Sequence, residues 1–174
     1  MANTWTALFQ GVSFAATKNM GAILNGGARV LRVRRLGCVN VQTVAVTGVI
    51  CLLDVRRYPA TATLTSSTAV TAVAHDTTNS ALSSVTIGYA GTIGGTTGVP
   101  FKRTIWASDE PKISYAQNNE WETLIPLNVL FDAGYGDSNV QPMVVRTGEM
   151  AMCYNTSGAA GLLDTWIEFT DEAS

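Results

Sequence analysis

The chain of 174 residues holds a single histidine, His75. Imidazole changes charge near neutral pH, so most general-base and metal-dependent schemes depend on it. Asp76 follows directly and is placed to orient the ring, but no motif brings a nucleophile to the pair. A turn histidine held by its neighbours is therefore the favoured interpretation. The sequence argues against a hydrolase, and we predict a protein that is not an enzyme.

Cysteine is also scarce, and the spacing of the cysteines does not indicate a metal site or a redox motif. Cys38, Cys51 and Cys153 are odd in number, show no CxxC motif and lie in apolar segments. This pattern favours small buried side chains over a disulfide. No stretch approaches the roughly 20 apolar residues of a membrane span, and residues 1–5 lack the basic-then-apolar order of a signal peptide. We therefore expect a protein that is made in the cytoplasm, does not bind a membrane, and holds no metal or cofactor.

Charge is sparse and unevenly distributed. Asp, Glu, Lys and Arg make up 14% of the chain, against about 25% in ordinary soluble domains. Residues 1–57 carry seven cations and one anion, whereas residues 58–174 carry four cations and twelve anions. Such a division either pairs within one fold, strand against strand, or forms two unlike surfaces that meet on neighbouring copies. We expect pairing within the chain to be the larger share.

What the sequence does contain is a β pattern. Apolar residues reach 47% and threonine occupies 22 positions, which favours strands joined by turns. Alternation after residue 28 places Leu31 and Val33 on one side of a strand and arginines on the other; residues 163–170 place Leu163, Thr165, Ile167 and Phe169 inward and Asp164, Glu168 and Thr170 outward. Further strand candidates are residues 39–55 with a bend at Gly48, 85–89, 101–107, 122–131, 144–146 and 148–154.

These strands define the expected architecture. We find no convincing helix of ten residues, and strands without helical crossovers indicate an antiparallel β-sandwich, jelly-roll-like, over residues 28–174. Residues 1–27 are predicted to form an irregular N-terminal arm, because Trp5, Phe9 and Phe14 fit neither helical nor strand spacing. The arm must dock either onto its own sandwich or onto a neighbouring subunit.

Other patterns that suggest ligand sites have simpler explanations. The glycine-rich residues 91–98 lack the GKT/S ending and the following helix of a phosphate-binding loop, so we interpret them as a flexible connection. Asp132, Asp137 and Asn139 do not match the spacing of an EF-hand, and Asx turns explain them better. Paired acidic residues in the loops are explained more simply as charged loop ends than as the two carboxylates of a glycosidase.

Two binding hypotheses concern aromatic and basic residues. Four tryptophans, Trp5, Trp106, Trp121 and Trp166, are compatible with the sugar-stacking face of a carbohydrate-binding module, and Trp106 and Trp121 are the pair to test, although core or subunit contacts are the commoner role. The cationic cluster suggests nucleic acid, but the pI near 5.3 and the absence of interleaved aromatics oppose it. Acidic partners, within the chain or on another protein, explain the cluster better. Its members are Arg29, Arg32, Arg34 and Arg35.

Three segments, taken in order, resemble small β-sandwich virion proteins of tailed bacteriophages. They are ILNGGARVLRVRR (23–35), VAHDTTNSAL (73–82), and GEMAM (148–152) followed by WIEFT (166–170). The resemblance implies a capsid decoration or cement protein, located in the virion, that binds the major capsid protein as a symmetric homodimer or homotrimer. It transfers no catalytic residue.

The assembly contacts are predicted from the residues themselves. The apolar arm and the charge asymmetry point to Trp5, Phe9 and Phe14 and to the strand from Arg29 to Arg35 as contact residues. Two alternatives stay open at this point. The protein is then either a tail, neck or fibre-base component, or a carbohydrate-binding module of a receptor-binding structure.

Overall fold

The computed structural model describes residues 3–14, 17–41, 49–95, 97–108, 129–134, 140–156 and 161–172. These residues contain fourteen strands, and every pairing between them is antiparallel. The strands are β1 (Asn3–Phe14), β2 (Lys18–Asn25), β3 (Val30–Asn40), β4 (Val49–Tyr58), β5 (Thr63–Thr65), β6 (Thr68–Ala69), β7 (Val73–Ala74), β8 (Val85–Tyr89), β9 (Thr92–Gly94), β10 (Val99–Ser108), β11 (Val129–Asp132), β12 (Met143–Val145), β13 (Met150–Asn155) and β14 (Gly161–Glu172).

Two six-stranded sheets pack against each other. Sheet A has the order β11-β3-β14-β1-β7, with β12 also paired to β3, and sheet B has the order β10-β4-β13-β2-β8-β6. The core between them includes Phe9, Leu36 and Phe169 from sheet A and Ile23 and Leu53 from sheet B. The predicted all-β antiparallel sandwich is confirmed, and its jelly-roll character stays a prediction.

The prediction of an irregular arm is wrong. Residues 3–14 form β1, which pairs along its length with β14, and residues 18–25 form β2 in sheet B. The period-two signal was hidden because the register shifts between Phe9 and Val12, where Gly11 adopts a φ of +58°. This bulge lets Phe9 and Val12 both point inward although they are three residues apart.

The C-terminal strand follows its predicted alternation almost throughout. Leu163, Thr165, Ile167 and Phe169 are all fully buried, as expected. Thr170, predicted to point outward, is buried instead, between its register partners Thr4 on β1 and Arg32 on β3. The short side chain of Thr170 is covered by these neighbours, whereas the longer side chains of Trp166 and Glu168 on the same face stay half-buried.

A small third sheet covers part of the outer face of sheet B. Strands β5 and β9 pair with each other, and their Leu64 and Ile93 pack on a second apolar cluster that includes Tyr58, Met150 and Met152. The prediction of a flexible connection over residues 91–98 is therefore wrong for residues 92–94. This glycine-rich segment is held in place because the side chain of Ile93 packs on the second apolar cluster.

Candidate functional site

The four arginines of the cationic cluster lie on or beside β3, and each faces a carboxylate of a neighbouring segment. Pairing within the chain, predicted to be the larger share, is confirmed for this cluster. Such engaged guanidinium groups do not form a free basic surface. The pairs are Arg29–Asp171 (3.1 Å), Arg32–Glu172, Arg34–Glu172 (3.6 Å) and Arg35–Asp132 (3.2 Å).

The aromatic residues predicted as assembly contacts lie in β1. Trp5 and Phe9 are buried in the core of their own sandwich, and the ring of Phe9 meets that of Tyr89 edge-on at 6.3 Å. Of the two docking alternatives for residues 1–27, the structure shows docking onto the protein's own sandwich. Phe14 ends β1, and its side chain lies outside the described residues. Contacts of these residues with another subunit stay a prediction.

His75 lies at the edge of sheet A. The residues that it contacts, Thr6 and Glu168, were not predicted from the sequence. Its Nε2 is 2.7 Å from the Thr6 hydroxyl and 3.8 Å from Glu168 Oε1. Asp76 does not orient the ring, because its carboxylate accepts hydrogen bonds from the backbone and hydroxyl of Thr78, which lower the pKa of Asp76. Since one nitrogen faces both Thr6 and Glu168, the ring cannot relay a proton between them as in a catalytic triad.

Another ionic cluster, on sheet B, was missed at the sequence level. Asp54 is completely buried and accepts hydrogen bonds from Arg103 (2.6 and 2.9 Å) and Arg56 (2.9 and 3.1 Å). The bonds from Arg103, together with those from Arg56, hold the pKa of Asp54 below its ordinary value, although desolvation opposes them. Arg56 also stacks 3.9 Å above the ring of Tyr154. The cluster fastens β10 to β4.

The outer face of sheet A carries exposed apolar side chains, which we name the outer apolar patch. In one row of register partners, Leu8 lies beside Trp166, Trp166 beside Gly37, and Gly37 beside Val129. Leu8, Val39, Val129 and Leu162 are each 38–42% exposed. Apolar side chains grouped in this way, with charged residues beside them, mark interaction surfaces. The patch consists of Leu8, Val39, Val129, Leu162 and Trp166.

Two predictions, the buried thiols and the Asx turn at Asp132, agree with the structure. Cys38 and Cys153 are buried thiols, as predicted, and the side chain of Cys51 lies outside the described residues. Asp132 accepts a hydrogen bond from the backbone of Gly134, as predicted for an Asx turn, whereas residues 137 and 139 are not described. Within the described part of the chain, no three His, Cys, Asp or Glu side chains group as metal ligands.

The tryptophans proposed for sugar binding are only partly accounted for. Trp106 lies in β10, but its side chain, like all of Trp121, falls outside the described residues. Of the other two tryptophans considered for a sugar-stacking face, Trp5 is buried and Trp166 lies on the outer face of sheet A. The described residues contain no helix that is long and apolar enough to cross a membrane.

Comparison of the chain with protein-family models, with curated proteins and with solved structures gives no match. The outer apolar patch presents uncharged side chains to solvent on the broad face of sheet A, and Val99 and Phe101 are exposed apolar side chains at the start of β10 in sheet B.

Proposed function

We propose that the protein is a non-enzymatic virion structural protein, most simply a decoration protein that binds the head shell of a tailed phage. The observation that carries the proposal is the outer apolar patch, four of whose five residues lie on the three longest strands of sheet A. The segment resemblance supports the same assignment. The proposed partner is the major capsid protein, and the proposed location is the virion.

The patch suits a docking role because the sheet beneath it is held firmly. Strands β3, β14 and β1 contain eleven or twelve residues each, and cross-strand ion pairs join β3 to β14. A rigid surface loses little conformational entropy when it binds. A small apolar contact also suffices when the partner repeats its site, because an oligomer that engages several sites gains affinity from effective concentration.

The proposal is tested by co-sedimentation of the purified chain with empty shells assembled from the major capsid protein of the same genome. We expect saturable binding. Val39→Asp, which places a charge in the patch, should weaken it at least about tenfold, which is about 1.4 kcal/mol. Val99→Asp is the matched control, because Val99 is 66% exposed but lies outside the patch on β10.

The outcomes separate the alternatives. If folded wild-type protein stays in the supernatant at every shell concentration, the head-shell assignment is wrong. Binding to purified tails, with the same sensitivity to Val39→Asp, would favour the tail, neck or fibre-base alternative. Equal weakening by Val39→Asp and Val99→Asp would show that the patch is not the contact surface.

A further inference from the structure

A short ribbon made of β5 and β9, which we name the strap, crosses the outer face of sheet B. In the order of that sheet, β13 and β2 lie between β4 and β8. The chain leaves β4, forms β5 and enters β6, and it returns from β8 through β9 to β10. Because β4 pairs with β10 and β8 pairs with β6, the strap joins the two ends of sheet B across the strands between them.

The strap covers the second apolar cluster. Leu64 on β5 and Ile93 on β9 pack against this cluster. Beneath them Tyr58 is 3% exposed, and Met150 and Met152 are fully buried. The two methionines face away from the core between the sheets, because the alternate residues of β13 belong to that core. They are therefore shielded from solvent on the strap side of sheet B.

The strap continues the ladder that β6 forms with β8, but a fold interrupts it. Thr65 pairs with Thr92 at the end of the strap, and Thr68 pairs with Tyr89 at the start of the next stretch. Two residues separate these pairs on each strand, so the register is the same on both sides of the gap. The gap consists of residues 66–67 and 90–91, where the ribbon folds from the edge of sheet B onto its outer face.

Each strand of this fold contains a residue in the left-handed region that is not glycine. Ser66 has a φ of +53° and Ala90 a φ of +57°, a conformation that is costly for such residues because Cβ crowds the backbone. Burial does not explain it, because both residues are exposed. At the opposite end of the strap the left-handed residue is Gly95, with a φ of +88°, and glycine adopts this conformation readily. The strain is therefore concentrated at Ser66 and Ala90, which we name the hinge.

We propose that the strap is a lid, which lifts from sheet B by straightening at the hinge. When Ser66 and Ala90 become extended, the four residues of the gap complete one ladder in its existing register. The lifted form gains these pairs and loses the strain of the hinge, whereas the closed form keeps the packing of Leu64 and Ile93. Opposed contributions of this kind make an element bistable, and strained residues cluster at such switches.

Lifting the lid exposes the apolar face beneath it and leaves sheet B intact. The Ala90 amide donates to the Asn19 carbonyl on β2 at 2.9 Å, and β8 pairs with β2 over four residues, so the strand that leads into the hinge is fixed. The uncovered side chains are those of Tyr58, Met150 and Met152. This change occurs on the sheet opposite the outer apolar patch, and the inference does not depend on the proposed function.

Oxidation of methionine by dilute hydrogen peroxide, followed by peptide mass spectrometry, tests the lid in the full chain. Met20, Met150 and Met152 are all fully buried, but only the last two lie under the strap. We expect Met150 and Met152 to oxidise at least about tenfold faster than Met20, because local opening requires less free energy than global unfolding. Low concentrations of urea should accelerate Met20 more strongly, since global unfolding exposes more surface. One common rate for all three methionines would overturn the proposal.

Substitutions at the hinge test where the lid bends. Ser66→Val places a β-branched side chain at a positive φ, so it should accelerate oxidation of the two methionines under the strap at least about fivefold. Ser84→Val is the matched control, because Ser84 is also exposed and has a φ of +57° but precedes β8 and lies outside the strap. It should accelerate only Met20, through lower global stability.

Ala90→Gly makes the opposite change at the hinge. Because glycine relieves the strain of the closed form, this variant should slow oxidation of the two methionines under the strap. Equal acceleration of these methionines by Ser66→Val and Ser84→Val would overturn the proposed hinge. If Ser66→Val does not fold, an unchanged oxidation rate in Ala90→Gly would overturn it instead.

Discussion

At the scale of single residues, the fold depends on a few buried polar side chains whose bonding is complete. Asn25 is buried at the end of β2. Its Nδ2 donates to the carbonyls of Arg29 (2.7 Å) and Val145 (3.0 Å), and its Oδ1 accepts from the amide of Gly27. One amide side chain thus joins segments that are 120 residues apart in sequence.

The first prediction concerns this amide. Asn25→Asp removes both donors and turns a carboxylate toward two carbonyl oxygens. We expect the free energy of unfolding to fall by about 2–3 kcal/mol, the cost of leaving buried polar groups unpaired. Gln10→Glu, the same chemical change at an exposed residue, should have little effect. Urea unfolding at neutral pH measures both, and equal stability of Asn25→Asp and wild type would contradict the role of the network.

The second prediction concerns pH and Asp54. Because arginine hydrogen bonds hold its pKa below the ordinary value in the folded protein, the unfolded chain binds the proton more readily. The stability that ionised Asp54 contributes is therefore present above its unfolded pKa, near 3.9, and is lost as pH falls through the folded pKa. We expect the loss of stability below about pH 4 to be smaller in Asp54→Asn. A parallel pH dependence would rule out Asp54 as its source.

At the scale of elements, the two sheets approach closely where Gly21 faces the ring of Phe9. A Cβ atom added to Gly21 on β2 would lie 2.5 Å from the ring of Phe9 on β1. Real side chains do not tolerate this distance, so the contact between sheets A and B requires a residue without a side chain at position 21.

The third prediction follows from this contact. Gly21→Ala should destabilise the protein by about 1–3 kcal/mol, as overpacked cores do. Phe9→Leu in the same chain should recover part of that loss, because the smaller side chain makes room for the new methyl group. A double-mutant cycle measured by thermal or urea unfolding tests the coupling. Strict additivity of the two substitutions would show that they do not share this space.

Elements with uninterrupted alternation were predictable from sequence, and those with a bulge were not. The inward residues of β14 follow from period two, as do Leu31 and Val33 on β3, which precede the register shift at Arg34. For β1, the bulge at Gly11 broke the period, and the segment was misinterpreted as an arm. Local sequence also cannot specify which strands become neighbours, so neither the Asp54 cluster nor the Thr6–His75–Glu168 contact was foreseen.

The outer apolar patch could not be predicted either, because the sequence does not show which strands lie side by side. The outer apolar patch exists because register places Leu8 beside Trp166 and Trp166 beside Gly37, residues far apart in the chain. An isolated exposed leucine carries no signal in a sequence. Alternation along β14 places Trp166 on the outward side of its strand, yet its neighbours could be named only from the paired strands.

At the scale of the whole molecule, much of the uneven charge of the sequence is paired within the described part of the fold. The cationic N-terminal third pairs with carboxylates from the rest of the chain, notably Asp171, Glu172 and Glu149. Asp171 is 3% exposed and Glu172 is 27% exposed, so these pairs lie partly out of solvent. The division therefore holds β3 to the C-terminal strand, and the outer face of sheet A presents little unpaired charge beside its apolar patch.

The last prediction tests this balance on a polyanionic heparin column. Because Glu172 forms ion pairs with both Arg32 and Arg34, the wild type should show little retention near 0.15 M salt, where the Debye length is about 8 Å. Glu172→Gln releases two guanidinium groups and should shift elution to higher salt. Asp76→Asn makes the same change in net charge at a carboxylate bonded only to Thr78, so its shift should be smaller. Equal shifts would mean that retention follows net charge alone. Strong retention of the wild type would show that the arginines of β3 form a free cationic surface. Nucleic acid would then have to be reconsidered as a partner.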